Sequence, residues 1–362
     1  MSMRVQSWLR AAPWLLALVL ALWAGWHARL AWSPEPVLTL VYCLFYYESW
    51  LLPLLMILTA VSWRQGRLSP ALASVVMVVL ALGSYARFVE PNLLRVQYTA
   101  IHTGYRLKLA LISDMHYGLF STAGQMQRLV DRLNQLEVDA IVVAGDWTNE
   151  PVRDPALAQQ LQPFRQLRHP VYSVTGNHDG ELPGPPLQLA LAQALRANGV
   201  QSIEGQVVDV GPVSLLGLGG VWSDNVEQSR EWLRRPGGKP VLVLTHSPDS
   251  YYALPASSQS LMVLAGHTHG GQVRLPLVGA LLTLSDVPRS WAAGLTELAA
   301  GRYLVVSRGI GLERGEAPRL RFLCRPQIVT IDMVFGPQTY HRLPDMLARA
   351  QHKKNKVVEL DF

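Results

Sequence analysis

The pattern of apolar and polar positions divides the chain. Three nearly uncharged runs open it, at 11–26, 38–63 and 72–86. Crossing a hydrocarbon core takes about 20 mostly apolar residues, with about 17 as a lower limit. The second run exceeds that length, and the first and third reach it with their flanks. Trp8, Trp14, Trp23, Trp26, Trp32, Trp50 and Trp63, seven of the eleven tryptophans, fall in this stretch, as interfacial belts require. Residues 1–90 are therefore expected to form an all-α transmembrane segment of about three helices. A cleaved leader is the competing reading of the first run, because Arg4 and Arg10 precede it. No small-x-small site comes after it, however, and further apolar runs do. Glu48, inside the second run, reads as a polar group facing the helix bundle.

After a mixed, partly polar linker at 91–106, the period changes. Strand-like apolar runs lie at 107–113, 139–145, 171–175, 207–210, 213–218, 241–245, 261–265, 303–307 and 328–331. Helical periodicity appears at 123–136, 155–167 and 187–197. Alternating strands and helices in the first half argue for α/β layers, and the strand-rich second half argues for a second sheet. The expected domain is 107–335, with a polar tail after it at 336–362.

Composition narrows the partners. The net charge is +6, which suits nucleic acid, an anionic membrane surface or an anionic substrate. No basic stripe with interleaved aromatics occurs, so nucleic acid is not expected as a partner. Lys353, Lys354 and Lys356 form a cluster in the tail and read as a solvated end. Cys43 and Cys324 make neither a disulfide framework nor a thiolate zinc site.

The chemistry lies at the strand ends. Residues 107–113 run into Asp114-Met115-His116, and 139–144 into Gly145-Asp146. The run 171–175 leads to Gly176-Asn177-His178-Asp179, 241–245 to His246, and 261–265 to Gly266-His267-Thr268-His269. Five of the ten histidines occupy these positions. Open α/β sheets bind ligands at the carboxyl ends of their strands. In extended backbone, residues two apart point the same way, so Asp114 and His116 are expected to share one ion, with His267 and His269 flanking a gap that serves two. Imidazole, carboxylate and amide oxygen suit manganese, iron or zinc. Two divalent ions outweigh the two aspartates, leaving a positive site that attracts a phosphate ester. Ions roughly 3.5–4 Å apart can activate water and clamp an in-line displacement. Taken singly, each motif is as well explained as a turn or cap; together, in this order, they point to a metal site.

These blocks resemble the calcineurin-like metallophosphoesterase superfamily over about 107–331. The resemblance implies a two-sheet sandwich flanked by helices, and a phosphodiesterase or pyrophosphatase. It implies that Asp114, His116 and His269 bind a first metal, that Asn177, His246 and His267 bind a second, and that Asp146 bridges them. His178 would lie beside the phosphate and serve the leaving oxygen, with Asp179 orienting it. Asn149 stands where purple acid phosphatases carry a tyrosine, so a tyrosinate–iron site is not implied. The strings 111–116, 266–272 and 307–311 look like a membrane-associated bacterial branch. Some members of that wider branch cleave UDP-2,3-diacylglucosamine in lipid A biosynthesis.

The sequence thus implies a multi-pass protein of the bacterial inner membrane, with the lipid bilayer as partner and a phosphate ester, lipid-linked, as substrate. Arg4, Arg10, Arg64 and Arg67 share one side of the spans, and Arg29, Arg87 and Arg95 the other. The positive-inside bias then places the catalytic domain outside the cytoplasm. Arg308 and Arg274 read either as phosphate contacts or as structural arginines. Specificity is expected from loops at 181–186, 221–230 and 281–291. A scaffold that kept only the fold would have lost a ligand, and none is lost here.

Overall fold

The computed structural model describes residues 3–180, 187–219, 230–231, 233–234, 238–255, 260–312 and 319–335. The expected loop 181–186, nearly all of 221–230 and the tail with its lysines lie outside these residues. The N-terminal part consists of α1 (Met3–Ala28), α2 (Pro36–Glu48), α3 (Leu51–Arg64) and α4 (Pro70–Ser84), the last continuing through a π turn, Tyr85–Val89. Among the described residues, three stretches are long and apolar enough to cross a membrane: Ala11–Ala28, Pro36–Arg64 and Pro70–Asn92.

The middle stretch is interrupted at Ser49 and Trp50. Ser49 turns back to the Tyr46 carbonyl at 2.6 Å and accepts Arg87 Nε at 2.9 Å, which separates α2 from α3. Glu48 ends α2 and is exposed, so it does not face the bundle. Helix α2 lies against the rest of the chain: Thr39 Oγ1 donates to Glu150 Oε2 at 2.9 Å, and the Tyr46 and Phe120 rings meet at 4.8 Å. Trp32 N donates to Pro151 O, and Arg321 N to Ala86 O. The α1–α2 turn and the exit from α4 therefore meet the same face of the domain.

The domain continues as β1 (Arg95–Thr103), β2 (Leu107–Ile112), α5 (Ala123–Leu133), β3 (Ala140–Ala144), α6 (Leu157–Gln160), β4 (Val171–Val174), α7 (Gln188–Ala197) and β5 (Val200–Ser202). Then come β6 (Val207–Val210), β7 (Val213–Gly219), β8 (Val241–Thr245), β9 (Ser260–Ala265), the short pair β10 (Arg274–Leu275) and β11 (Gly279–Ala280), β12 (Gly294–Ala299), β13 (Arg302–Val306) and β14 (Gln327–Phe335). One sheet has the order β1-β14-β2-β3-β4-β5, and the other β12-β13-β9-β8-β7-β6.

The inner strands, such as β3 and β8, are almost wholly apolar because both faces are buried. Along β3, Ile141 and Val143 pack beneath α5 and α7, against Met126, Leu129 and Leu191. Ala140, Val142 and Ala144 point the other way, into the layer between the sheets with Leu215, Leu242 and Leu264. The period of two places alternate residues in two cores. A capping box, Thr122 with Gln125, starts α5 under the first sheet.

The structure corrects two further expectations. Residues 91–106 are not only linker: β1 pairs in parallel with β14, from Arg95↔Gln327 to Thr103↔Phe335. An edge strand with one exposed face carries polar residues and so lacks the buried-strand signal. The helix expected at 155–167 splits into α6 and a 3-10 turn, Gln162–Gln166. Pro163 lacks the N–H that a continuing helix would use.

Candidate metal centre

Five strand ends meet between the sheets. The chain past β2 runs beside the chain past β3, with Asp114 N on Gly145 O at 3.0 Å and His116 N on Asp146 O at 3.1 Å. Gly266 N reaches His246 O at 2.9 Å and ties β9 to β8. The backbone is not extended here. Asp114, His116, Asp146, His267 and His269 have φ of 50°, 46°, 54°, 69° and 49°. Each such left-handed residue costs on the order of 1–3 kcal/mol and persists only where its surroundings impose it. Asp114 and His116 thus converge through a tight turn, not through strand alternation. Close approach is also required at Gly176, where a Cβ would run into the Asp146 carboxylate, and at Gly309 (φ 70°), where it would lie 2.8 Å from Asp114 Cβ.

The side chains gather around one aspartate. His116 Nε2 and His246 Nε2 stand 3.5 and 3.2 Å from Asp146 Oδ2. On one flank, His116 Nε2 is 2.9 Å from His269 Nε2, which is 3.6 Å from Asp114 Oδ1. On the other, His246 Nε2 is 3.0 Å from Asn177 Oδ1 and 3.2 Å from His267 Nδ1. Asp114, His116, Asp146, His246 and His269 are buried, while Asn177 and His267 are half-buried.

Two of the tautomers are fixed by the partners. A carbonyl only accepts, so His246 donates from Nδ1 to Ala144 O at 2.7 Å, and His267 from Nε2 to Leu284 O at 3.1 Å. The remaining nitrogen of each neutral ring then presents a lone pair to the centre, as ligating histidines held by an outer partner do. With neutral rings, His246, His267, Asn177 and Asp146 offer one another acceptor atoms that a cation between them would satisfy. The ionisation of the buried groups agrees. Burial raises Asp114 to about 7, with the nearby Asp146 charge acting the same way. Burial alone would lower His246, but Asp146 outweighs it and carries the ring up to about 10. The donor set takes a proton where no metal supplies the positive charge, and it fits divalent ions.

His178 is buried beside this cluster. Its N–H donates to Asp146 Oδ1 at 3.0 Å, and its ring stands edge-on to His116 with centroids 4.8 Å apart. Asp179, next to it in sequence, is buried and held by backbone donors. Its carboxylate accepts from Trp147 N at 3.1 Å, Thr148 N at 3.1 Å and Gly176 N at 3.0 Å. It clamps the strand-end loops that carry Asp146 and Asn177, and burial raises it to about 6.

Arg274 and Arg308 both pack on the turn after His269. Arg274 Nη1 donates to Gly270 O at 3.0 Å, and a Cβ on Gly270 would lie 2.9 Å from Arg308 Cγ. Arg308 Nε is buried with no hydrogen-bond partner among the described residues. Arg321 is a residue that sequence reasoning missed. Wholly buried, it donates to the carbonyls of Gly311, Arg308 and Cys324 and reaches within 3.4 Å of His269 Nδ1. Arginines at 319 and 321 around Leu320 look like an exposed edge in sequence, so nothing marks Arg321 as a strut. Glu90, also wholly buried, accepts from Leu323 N at 3.0 Å and from Cys324 N, and so joins the exit from α4 to the same loop.

Residues 107–271 match the family model for calcineurin-like phosphoesterase. The chain is 28% identical to the phosphodiesterase YaeI of Escherichia coli (strain K12), over 63% of this chain and 82% of that protein. It is 26% identical to the metallophosphoesterase YkuE of Bacillus subtilis (strain 168), over 69% and 88% of the two chains. It is also 26% identical to a bovine transmembrane protein with a metallophosphoesterase domain, over 68% and 62%.

Proposed function

Since residues 107–271 are a calcineurin-like phosphoesterase domain and the chain is accordingly a phosphoester hydrolase, we propose that it cleaves phosphodiester or pyrophosphate bonds in a membrane-associated substrate, using two divalent ions. The convergence of two ligand groups on Asp146 carries the proposal. Asp114, His116 and His269 would hold one ion, Asn177, His246 and His267 the other, and Asp146 both. Manganese is the first choice, with iron or zinc as alternatives on donor type. Bound there, the ions would supply Lewis acidity toward phosphoryl oxygens and a nucleophile from water near neutral pH.

The chain's own residues do the rest. His246 and His267 are oriented by Ala144 O and Leu284 O, and so present fixed lone pairs. Asp179 holds the loops in register. His178 is the group placed to give a proton to the leaving oxygen, being adjacent to the shared aspartate without belonging to either trio. Helices apolar enough to span a membrane, packed directly on the domain, support a substrate that resides in or on the bilayer.

The test is hydrolysis of bis-p-nitrophenyl phosphate by the full-length protein with manganese, iron, zinc or cobalt. Turnover is expected with at least one, and inactivity with all four would refute the reading. The full chain is used because a start at residue 106 would remove β1 from the sheet. Within this reading, the catalytic domain faces away from the cytoplasm. Arg87 is buried on Tyr46 and Ser49, which leaves Arg29 and Arg95 on the domain side against Arg4, Arg10, Arg64 and Arg67. UDP-2,3-diacylglucosamine hydrolysis for lipid A would require the opposite orientation.

A further inference from the structure

Residues 274–284 carry an apolar surface that the fold does not use. Leu275, Leu277, Val278, Leu281, Leu282 and Leu284 are exposed, Leu277 completely and Val278 and Leu284 to 60% and 64%. Single exposed leucines are ordinary, but a contiguous set marks a contact surface. The tip is notable for its residue choice. Val278 N closes on Pro276 O at 2.8 Å, and Leu277 takes φ 67°. Glycine or asparagine occupies that conformation at lower cost in a turn facing water.

The position of the hairpin identifies what covers this surface. Val273 bridges to Phe322, and Arg274 N donates to Phe322 O at 2.9 Å. In the same segment Arg321 N donates to Ala86 O, and Leu323 N to Glu90. The hairpin base is thus two backbone spacings, roughly 10 Å, from the exit of α4. Depth can be counted along that helix. At 1.5 Å per residue, a hydrocarbon core of about 30 Å takes roughly 20 residues, which from Pro70 ends at Val89. Val89, Leu93 and Leu323 are themselves exposed at this level. Arg95, Arg274 and Arg308 stand beside it; burial, then the charges of Arg274 and Arg95, lower the Arg308 pKa. Cations at the edge of an apolar surface suit the phosphates of a lipid headgroup layer.

We propose that the β10–β11 hairpin and the residues after it, 274–284, insert into the surface of the bilayer that the N-terminal helices cross. The same segment ends at the metal centre, where Leu284 O holds His267. Seating it in lipid turns the rim of the centre toward the membrane and presents lipid phosphodiesters to it. The insertion rests on the helices spanning a bilayer; only the delivery of lipid rests on the proposed membrane-associated substrate.

The test uses full-length protein in phosphatidylcholine vesicles containing phosphatidylglycerol. Leu277→Cys carries an environment-sensitive fluorophore, and Glu137→Cys, exposed on the loop before β3, serves as control. A blue shift and quenching by nitroxide lipids are expected at 277, several-fold stronger than at 137. Equal quenching at both sites overturns the proposal, as does a blue shift without lipid quenching, which burial against a second copy would give. Separately, Leu277→Glu with Val278→Glu should leave bis-p-nitrophenyl phosphate turnover unchanged while hydrolysis of a phosphodiester lipid in vesicles falls by about tenfold or more. Wild-type protein that cleaves the soluble ester but no vesicle lipid would remove the lipid-delivery claim, with the fluorophore still deciding insertion.

Discussion

His246 Nε2 stands 3.2 Å from Asp146 Oδ2, while Nδ1 of the same ring donates to the carbonyl of Ala144, two positions before that aspartate. One strand end therefore both orients the imidazole and receives it. In the proposed site, Asp146 would be common to both ligand trios. Asp146→Asn should lower kcat for bis-p-nitrophenyl phosphate by more than the roughly 10–100-fold typical of outer partners of a metal. Steady-state kinetics with metal analysis of the purified variant checks this. Unchanged turnover at full metal content would refute a shared ligand.

Removing metal should make stability depend on pH in a defined direction. His246 is raised to about 10 from its ordinary value of 6.5. Its proton therefore stabilises the metal-free fold fully below the unfolded value, and that stability is lost as pH rises through the folded one. Asp114, raised to about 7 from 3.8, acts the same way as it ionises. The chelated protein should lose thermal stability on going from pH 6 toward pH 10, the working range being set by these two shifts. The metal-loaded protein should not, because the ions replace the protons. Calorimetric melts across pH, with and without chelator, measure the difference.

Asp179 predicts a loss of a different kind. Asp179→Ala strands the buried N–H groups of Trp147 and Thr148, each at a cost of about 1–3 kcal/mol, and the half-buried one of Gly176. The melting temperature should fall by several degrees, and manganese affinity with it, because the loops of Asp146 and Asn177 lose their clamp. Asp179→Asn keeps one acceptor oxygen and should recover part of both. Equal effects of the two variants would argue against the clamp.

Glu90 links the helical segment to the centre. Glu90→Gln should preserve the fold yet weaken the hold on Leu323 and Cys324, whose thiol donates to His269 O at 3.3 Å. Manganese affinity should drop within the roughly 10–100-fold range of outer-partner changes. Titration monitored by electron paramagnetic resonance reads it directly.

Orientation gives a further outcome. A reporter fused after Phe362 should be active only in its extracytoplasmic form. A cytoplasmic signal would reverse the arginine argument and favour a nucleotide-linked lipid as substrate.

Much of this was legible in the chain. The apolar runs declare the N-terminal helices by length. The strands around the centre declare themselves because both faces are buried, so most positions are apolar and the ligand-type residues follow where the run ends. That is why Asp114, Asp146, Asn177, His246 and His267 could be named from strand ends alone. Tertiary structure decided the rest. It joined Asp114 to His116 through left-handed backbone, a conformation that no spacing rule reveals because neighbouring loops impose it. It assigned Asp179 to backbone donors, buried Arg321 beneath His269, and recruited β1 through pairing with β14, as at Gln97 and Val329. Local patterns record which faces a segment buries; which distant groups fill a buried carboxylate or guanidinium depends on packing that no segment carries by itself.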